Sequence, residues 1–206
     1  MDSLSSINID PDLGLAFKAL IRKNGKYVSQ FDENFIWPRD GFVKSKCVNT
    51  TDFPRYGPHD ETRSAFSECR CGIYAAYKPS YALQHKNTGQ LTGGFFMLQP
   101  YGPQVDWGNK AVRSMAAKLV AVVEYNVVTQ GFSISTSEAA RYFNLPILDP
   151  RKAILAFEIH MLGFAYENGL DWWEPMNYPK NKFAQLMRDF AQGIAITWDS
   201  IMTGDL

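Results

Sequence analysis

The chain has 206 residues, with 21 Lys plus Arg balanced by 21 Asp plus Glu, so its formal net charge is zero. Hydrophobic residues make up 46% of it and charged residues 20%, as in a globular protein with a real core. Nucleic-acid binders usually carry a basic excess, so the charge balance disfavours a nucleic-acid partner but leaves one open.

The hydropathy and charge pattern also shows no targeting signal. No apolar stretch reaches the roughly 18 residues of a membrane span, and no basic start precedes an apolar run, so we expect neither a membrane anchor nor a signal peptide. Three cysteines are an odd number and too few for a disulfide framework, which indicates a reducing compartment. We therefore expect a cytoplasmic protein.

The first part of the chain predicts antiparallel β structure. An apolar run at 14–21 and an alternating run at 26–31 flank Asn24-Gly25, a strong hairpin-turn signal. A third short strand is expected at 35–37. Residues 38–71 are interrupted by proline and glycine and predict an irregular connection, which is long enough to need some other source of order.

The middle of the chain predicts short strands separated by loops. Expected strands lie at 73–77, 95–98 and 119–125, the last paired as a hairpin with 127–134, and expected loops lie at 79–94 and 100–110. Ser137 is a good N-cap for a short helix ending at Phe143.

From Asp149 the character becomes helical. Asp149-Pro150 predicts a capped helix start, and Asn168-Gly169 predicts its end. The helix is apolar on nearly every side, so it is either buried or covered by a partner. A second helix at 180–202 would complete an αα-hairpin. We therefore divide the chain into a β-rich domain, residues 1–148, and a helical hairpin, residues 149–206.

All three cysteines lie in or beside the irregular connection, together with one of the three histidines. The set is Cys47, His59, Cys69 and Cys71. Three thiolates and one imidazole would complete a closed tetrahedral zinc shell, which stabilises a fold and does not catalyse. Unlinked thiols, or a redox pair at Cys69 and Cys71, remain alternatives. The predicted fold is thus α+β: an antiparallel β-rich domain with a Cys/His metal-stabilised loop, followed by a C-terminal helical hairpin.

Several short motifs resemble those of a known group of proteins. They are Gly-x-x-Phe-Lys-Ala at 14–19, Trp37-Pro38, Cys47, His59 and the run Cys69-x-Cys71-Gly72-Ile73-Tyr74-Ala75. Their order is similar to an uncharacterised family of actinobacterial and phage proteins with a central Cys-x-Cys-Gly-Ile-Tyr-Ala motif. A looser match follows at Val122-Val123-Glu124, Gly131-Phe132 and Ala139. Tyr125 departs from it, because family members usually have tryptophan after the Val-rich strand.

The resemblance covers about residues 14 to 148 of the chain and misses the predicted helical pair. It implies a phage or bacterial accessory protein inside a bacterial host cell, and it implies no activity.

Signatures of catalysis are weak. The chain has no Gly-x-Ser-x-Gly elbow and no Gly-rich phosphate loop. Gly72-Ile73-Tyr74 matches the first part of the GIY-YIG nuclease signature, but no Tyr-Ile-Gly follows it. We favour a non-catalytic protein and keep a small metal-dependent enzyme, such as a nuclease, as the alternative.

Large side chains concentrate in the connection between the two predicted helices. They are Trp172, Trp173, Met176 and Tyr178. Such residues dominate the energetics of interfaces, so we predict a protein partner or a homodimer here; closure of the core is the alternative role. In a phage setting, small non-catalytic proteins often occlude a host enzyme or defence complex. The sequence therefore predicts a zinc-stabilised interaction module. The resemblance adds a phage or bacterial setting, in which such a module would bind, and could inhibit, a host protein or defence complex.

Overall fold

The computed structural model describes residues 9–30, 34–45, 71–82, 91–106, 110–124 and 132–169. Within these ranges the chain forms one mostly antiparallel sheet with helices beside it, which confirms the α+β class. The strands are β1 Ala16–Lys23, β2 Lys26–Ser29, β3 Phe42–Lys44, β4 Ile73–Ala76, β5 Leu91–Asp106, β6 Ala111–Val123, β7 Phe132–Ile134 and β8 Ile147–Leu148. The helices are α1 Pro79–Ala82, α2 Thr136–Phe143 and α3 Pro150–Glu167.

Four of the strands close into a ring of hydrogen-bonded ladders. β1 pairs with β5, β5 pairs with β6 along most of its length, and β6 pairs with β4. β4 returns to β1 through a single pair, Phe17 with Ala76. β5 can serve both neighbours because register shifts between Met97 and Leu98, and between Tyr101 and Gln104, bend it. The result is a closed circuit of four strands with one narrow seam, between β1 and β4.

The remaining strands extend this ring at its edges. β2 continues the sheet beyond β1, and β3 and β8 lie along β6 on the side away from β5. β7 runs parallel to the start of β5, and β8 runs parallel to the end of β6. These two parallel pairings are the exceptions to an otherwise antiparallel sheet.

β1 and β5 form a central layer between two helices. Phe95 lies 5.6 Å, ring centre to ring centre, from Phe17, which in turn lies 4.8 Å from Phe157 of α3. The next residue, Phe96, contacts Phe143 of α2 at 5.3 Å. Successive side chains of a strand point to opposite faces, so these neighbouring phenylalanines anchor one helix each. This explains why the first six residues of β1 are all buried.

α3 is the predicted capped helix. Asp149 Oδ1 accepts hydrogen bonds from the backbone N–H groups of Arg151, at 2.9 Å, and Lys152, at 3.3 Å. The helix is buried on most of its sides, as expected from its apolar sequence. It also holds the segment before β1, because His160 Nε2 donates to the Leu13 carbonyl at 2.6 Å.

The N-terminal hairpin is confirmed. Asn24 and Gly25 have φ values of 50° and 74°, as a two-residue hairpin turn requires. The strand at 73–77 and the helix ending at Phe143 are confirmed as well, with the helix starting after Ser135 instead of Ser137. Of the strand expected at 35–37, only one bridge forms, Val28 with Ile36.

Several predictions for the middle of the chain are wrong. The loop expected at 100–110 is largely part of β5. Pro100 pairs in register with Ala117, and the register shift between Tyr101 and Gln104 accommodates Gly102 and Pro103 inside the strand. The segment 79–94, expected to be a loop, contains α1 and the first residues of β5. β6 starts at Ala111, well before the expected 119. β3 lies within the connection predicted to be irregular.

The hairpin expected between 119–125 and 127–134 is wrong too. β5 already occupies one edge of β6, and β8 takes the other edge at the end of the strand. Phe132–Ile134 instead pairs in parallel with β5. The second helix predicted at 180–202 lies outside the described residues, and the domain division at 148 stays a prediction. No helix in the described ranges has the length and apolarity to cross a bilayer.

Candidate functional site

The predicted metal-binding segment starts and ends at one point of the sheet. β3 and β4 lie end to end along the same edge of β6. Ser45, just after β3, donates its backbone N–H to the Met115 carbonyl at 2.8 Å, and Ile73, the first residue of β4, pairs with Ser114. Because Met115 and Ser114 are neighbours, the chain leaves β6 and returns to it at adjacent residues. We call this point the loop base.

One of the four predicted metal ligands is at the loop base. Cys71 is buried, two positions before Ile73. Cys47, His59 and Cys69 lie outside the described residues, so the structure does not test whether they meet. In the described part of the chain, no three His, Cys, Asp or Glu side chains group as metal ligands.

The turn after Cys71 requires glycine. Gly72 has a φ of +128°, and a Cβ there would lie 2.6 Å from Arg113 Cγ. Arg113 is buried, and its guanidinium carbon is 5.8 Å from the ring centre of Tyr74, which is a cation–π distance. Gly72 and Tyr74 of the sequence motif therefore pack against a buried cation at the loop base.

A second buried cation lies on the other side of β4. Lys18, in β1, is only 4% exposed, and its Nζ donates to the Tyr74 carbonyl at 2.6 Å. Burial lowers the pKa of the Lys18 ammonium from 10.5 to about 8. β4 is thus flanked by Arg113 on β6 and Lys18 on β1.

A cavity of about 170 Å³ adjoins Lys18 at the narrow seam between β1 and β4. β1 pairs with β2 only from Leu20 onward and with β4 only at Phe17, so the ladder is open between them. Larger side chains around the cavity are Phe17, Lys18, Gln30, Tyr74 and Tyr81, and the alanines are Ala19, Ala75, Ala76, Ala82 and Ala111. Small residues at the seam leave this space unfilled.

The far end of β4 carries a polar pair. Tyr77 donates its hydroxyl hydrogen to Asp106 Oδ1, which ties the residue after β4 to the end of β5. Burial, and then the bond to Asp106, raise the pKa of Tyr77. Burial also raises the pKa of Asp106, and the Tyr77 bond opposes this. The pair keeps its proton on the tyrosine and acts as a structural link.

The sequence patterns did not single out Lys18 or Arg113 as buried cations. For Lys18 a signal existed, because it is one charged residue inside an apolar run from Ala16 to Ile21. Its burial depends on both faces of β1 being covered, which no local pattern shows. Arg113 follows a loop-like stretch and carries no such signal.

The predicted partner-binding residues, Trp172, Trp173, Met176 and Tyr178, lie outside the described residues. α3 ends just before them in sequence, and Tyr166 in its last turn is 55% exposed. One large aromatic side chain is thus exposed at the end of the helix that leads into this segment.

No protein-family profile, curated protein or solved structure is significantly similar to this chain. The functional interpretation therefore depends on the geometry of the chain itself.

Proposed function

We propose that this protein is a non-catalytic interaction module whose central segment is organised by one zinc ion. The proposed ligands are Cys47, His59, Cys69 and Cys71. The observation that carries the proposal is the loop base: the segment departs from β6 and rejoins it at adjacent residues, with a buried cysteine at the point of return.

The geometry of the loop base favours one metal ion bound by both Cys47 and Cys71. Cys47 follows Ser45 by two positions, a reach of at most about 7 Å. Cys71 precedes Ile73 by the same number of positions, so each cysteine is two residues away in sequence from a residue bonded to Ser114 or Met115 of β6. An ion bound between them would stabilise the segment without a regular ladder, because metal-binding free energy becomes folding free energy.

The interaction role is supported by the helix that precedes the aromatic segment. Phe157 fixes α3 to β1, so the segment with Trp172 and Trp173 follows a helix anchored in the core. We propose that this segment docks on a protein partner or on a second copy of the chain. By the motif resemblance, the partner would be a host protein or defence complex that the module inhibits in a phage or bacterial setting.

Elemental analysis of freshly reduced, folded protein tests the zinc proposal. We expect one zinc per chain, lost in Cys71→Ser and in His59→Gln. His85→Gln is the matched control, because His85 is outside the proposed ligand set and should retain the metal. Absence of bound zinc in the parent protein, or equal loss in the control, would contradict the proposal. Activity that disappears on chelation while the fold survives would favour the enzyme alternative.

Light scattering and affinity capture test the interaction role. Removing α3 would delete Phe157 from the core, so point variants are preferable to truncation. We expect the double change Trp172→Ala and Trp173→Ala to abolish self-association or capture of a specific partner. Trp107→Ala, outside the segment, should keep both. The docking proposal would be refuted if the parent protein is a monomer and if the parent, the double variant and Trp107→Ala all capture the same proteins.

A further inference from the structure

A charged side chain in the middle of a strand that is buried on both faces is unusual. Lysine is almost never fully buried unless it is paired. Lys18 is 4% exposed, and in the described part of the chain no carboxylate lies within ion-pair distance of it. Among the described residues its one hydrogen-bond partner is the carbonyl of Tyr74, although an ammonium has three donors. Such a group lowers stability, so its presence calls for a compensating role.

The space beside the ammonium has the size of a small ligand. The cavity measures about 170 Å³, similar to apolar cavities of about 150 Å³ that accept benzene. The residues that line it are mostly alanines and aromatic residues, with Lys18 and Gln30 as polar members. Tyr81 lines it and is 40% exposed, so the cavity wall reaches the surface.

We propose that this cavity binds a small carboxylate, with its anionic group on Lys18 and its apolar body against the alanines. A carboxylate is an acceptor-only group that matches the remaining donors of the ammonium. The apolar walls favour a compact hydrocarbon body over a strongly hydrated inorganic anion. The inference is independent of the zinc proposal, because it rests on Lys18 and the cavity and on none of the four proposed ligands.

Calorimetry of the intact protein with benzoate and isobutyrate, at pH 7, is the test. We expect saturable binding of at least one of them, and no binding of the neutral amides benzamide and isobutyramide. Inorganic phosphate should also fail to compete. Lys18→Met, which keeps the length of the side chain, should weaken binding at least about tenfold. Ala82→Leu, which fills the cavity and keeps the ammonium, should weaken it similarly.

Lys26→Met is the matched control, because Lys26 is an exposed lysine at the start of β2 and should bind as the parent does. The titratable groups lining the cavity are Lys18, Tyr74 and Tyr81. Affinity should therefore fall above about pH 8, as the Lys18 ammonium loses its proton. Failure of both carboxylates to bind, or unchanged binding by folded Lys18→Met protein, would overturn the proposal.

Discussion

Replacing Lys18 by methionine should stabilise the protein at neutral pH. Burial lowers the pKa of this ammonium from 10.5 to about 8, so the unfolded chain binds its proton more readily than the folded chain does between these values. A shift of this size corresponds to about 3 kcal/mol of destabilisation below pH 8. Losing the hydrogen bond to the Tyr74 carbonyl costs about 1 kcal/mol, so the expected net gain is about 2 kcal/mol.

The sign of the pH dependence provides a second readout. The free energy of unfolding of the parent should rise from pH 8 towards pH 10.5, because the folded state releases the Lys18 proton first. In Lys18→Met this rise should be absent. Urea unfolding at half-unit steps from pH 7 to 10 measures both curves, and their difference removes the contributions of other groups. Parallel curves, or a variant less stable than the parent at pH 7, would refute the reasoning.

Three further changes probe the loop base and α3. Gly72→Ala should lower the free energy of unfolding by about 2 kcal/mol or more, because the new Cβ would collide with Arg113. Gly25→Ala is the control: its Cβ meets no atoms within 4 Å, so it should lower the free energy only by the left-handed backbone penalty of about 1 kcal/mol. Urea midpoints compare the two. Burial lowers the pKa of His160 below 6.5, so unfolding free energy should fall on acidification below that pH, and His160→Gln should flatten the fall. Asp149→Ala should lower the unfolding free energy by about 1 kcal/mol through loss of the helix cap, measured by thermal unfolding.

Local signals predicted the elements whose ends are marked by side chains. Asn24-Gly25 gave the first hairpin, and Asp149-Pro150 with Asn168-Gly169 gave both ends of α3. These residues act through their own backbone conformation or through hydrogen bonds to the next few residues, so the sequence around them is sufficient. α3 was also expected to be buried, because it has no polar side.

The ring of strands could not be predicted, because bulges and glycine close it. Pro100, Gly102 and Pro103 indicate a loop, yet all three lie inside β5, which pairs with β6 at Pro100 and shifts register at Gly102 and Pro103. Gly93 has a related role. A Cβ at this position would lie 1.9 Å from the Leu20 carbonyl oxygen, so only glycine permits the close approach of β1 to β5. Glycine and proline residues that are required by strand pairing look, in the sequence, the same as those that mark a turn.

The candidate sites, too, could be predicted from the sequence only in part. Spacing alone indicated a thiol cluster, but it could not show that β3 and β4 share an edge of β6, which brings the ends of the segment together. The Lys18 cavity arises from a seam with one residue pair, a property of the folded sheet.

X-ray absorption at the zinc edge tests the central claim most directly, because it counts and identifies the atoms around the ion. A closed site of three thiolates and one imidazole should give sulfur neighbours at about 2.3 Å and one nitrogen at about 2.0 Å. Cys71→Ser, which should not retain the metal, is the control and should show no zinc with these neighbours. An oxygen neighbour in the parent spectrum, as in an open catalytic site, or the absence of retained zinc would contradict the account.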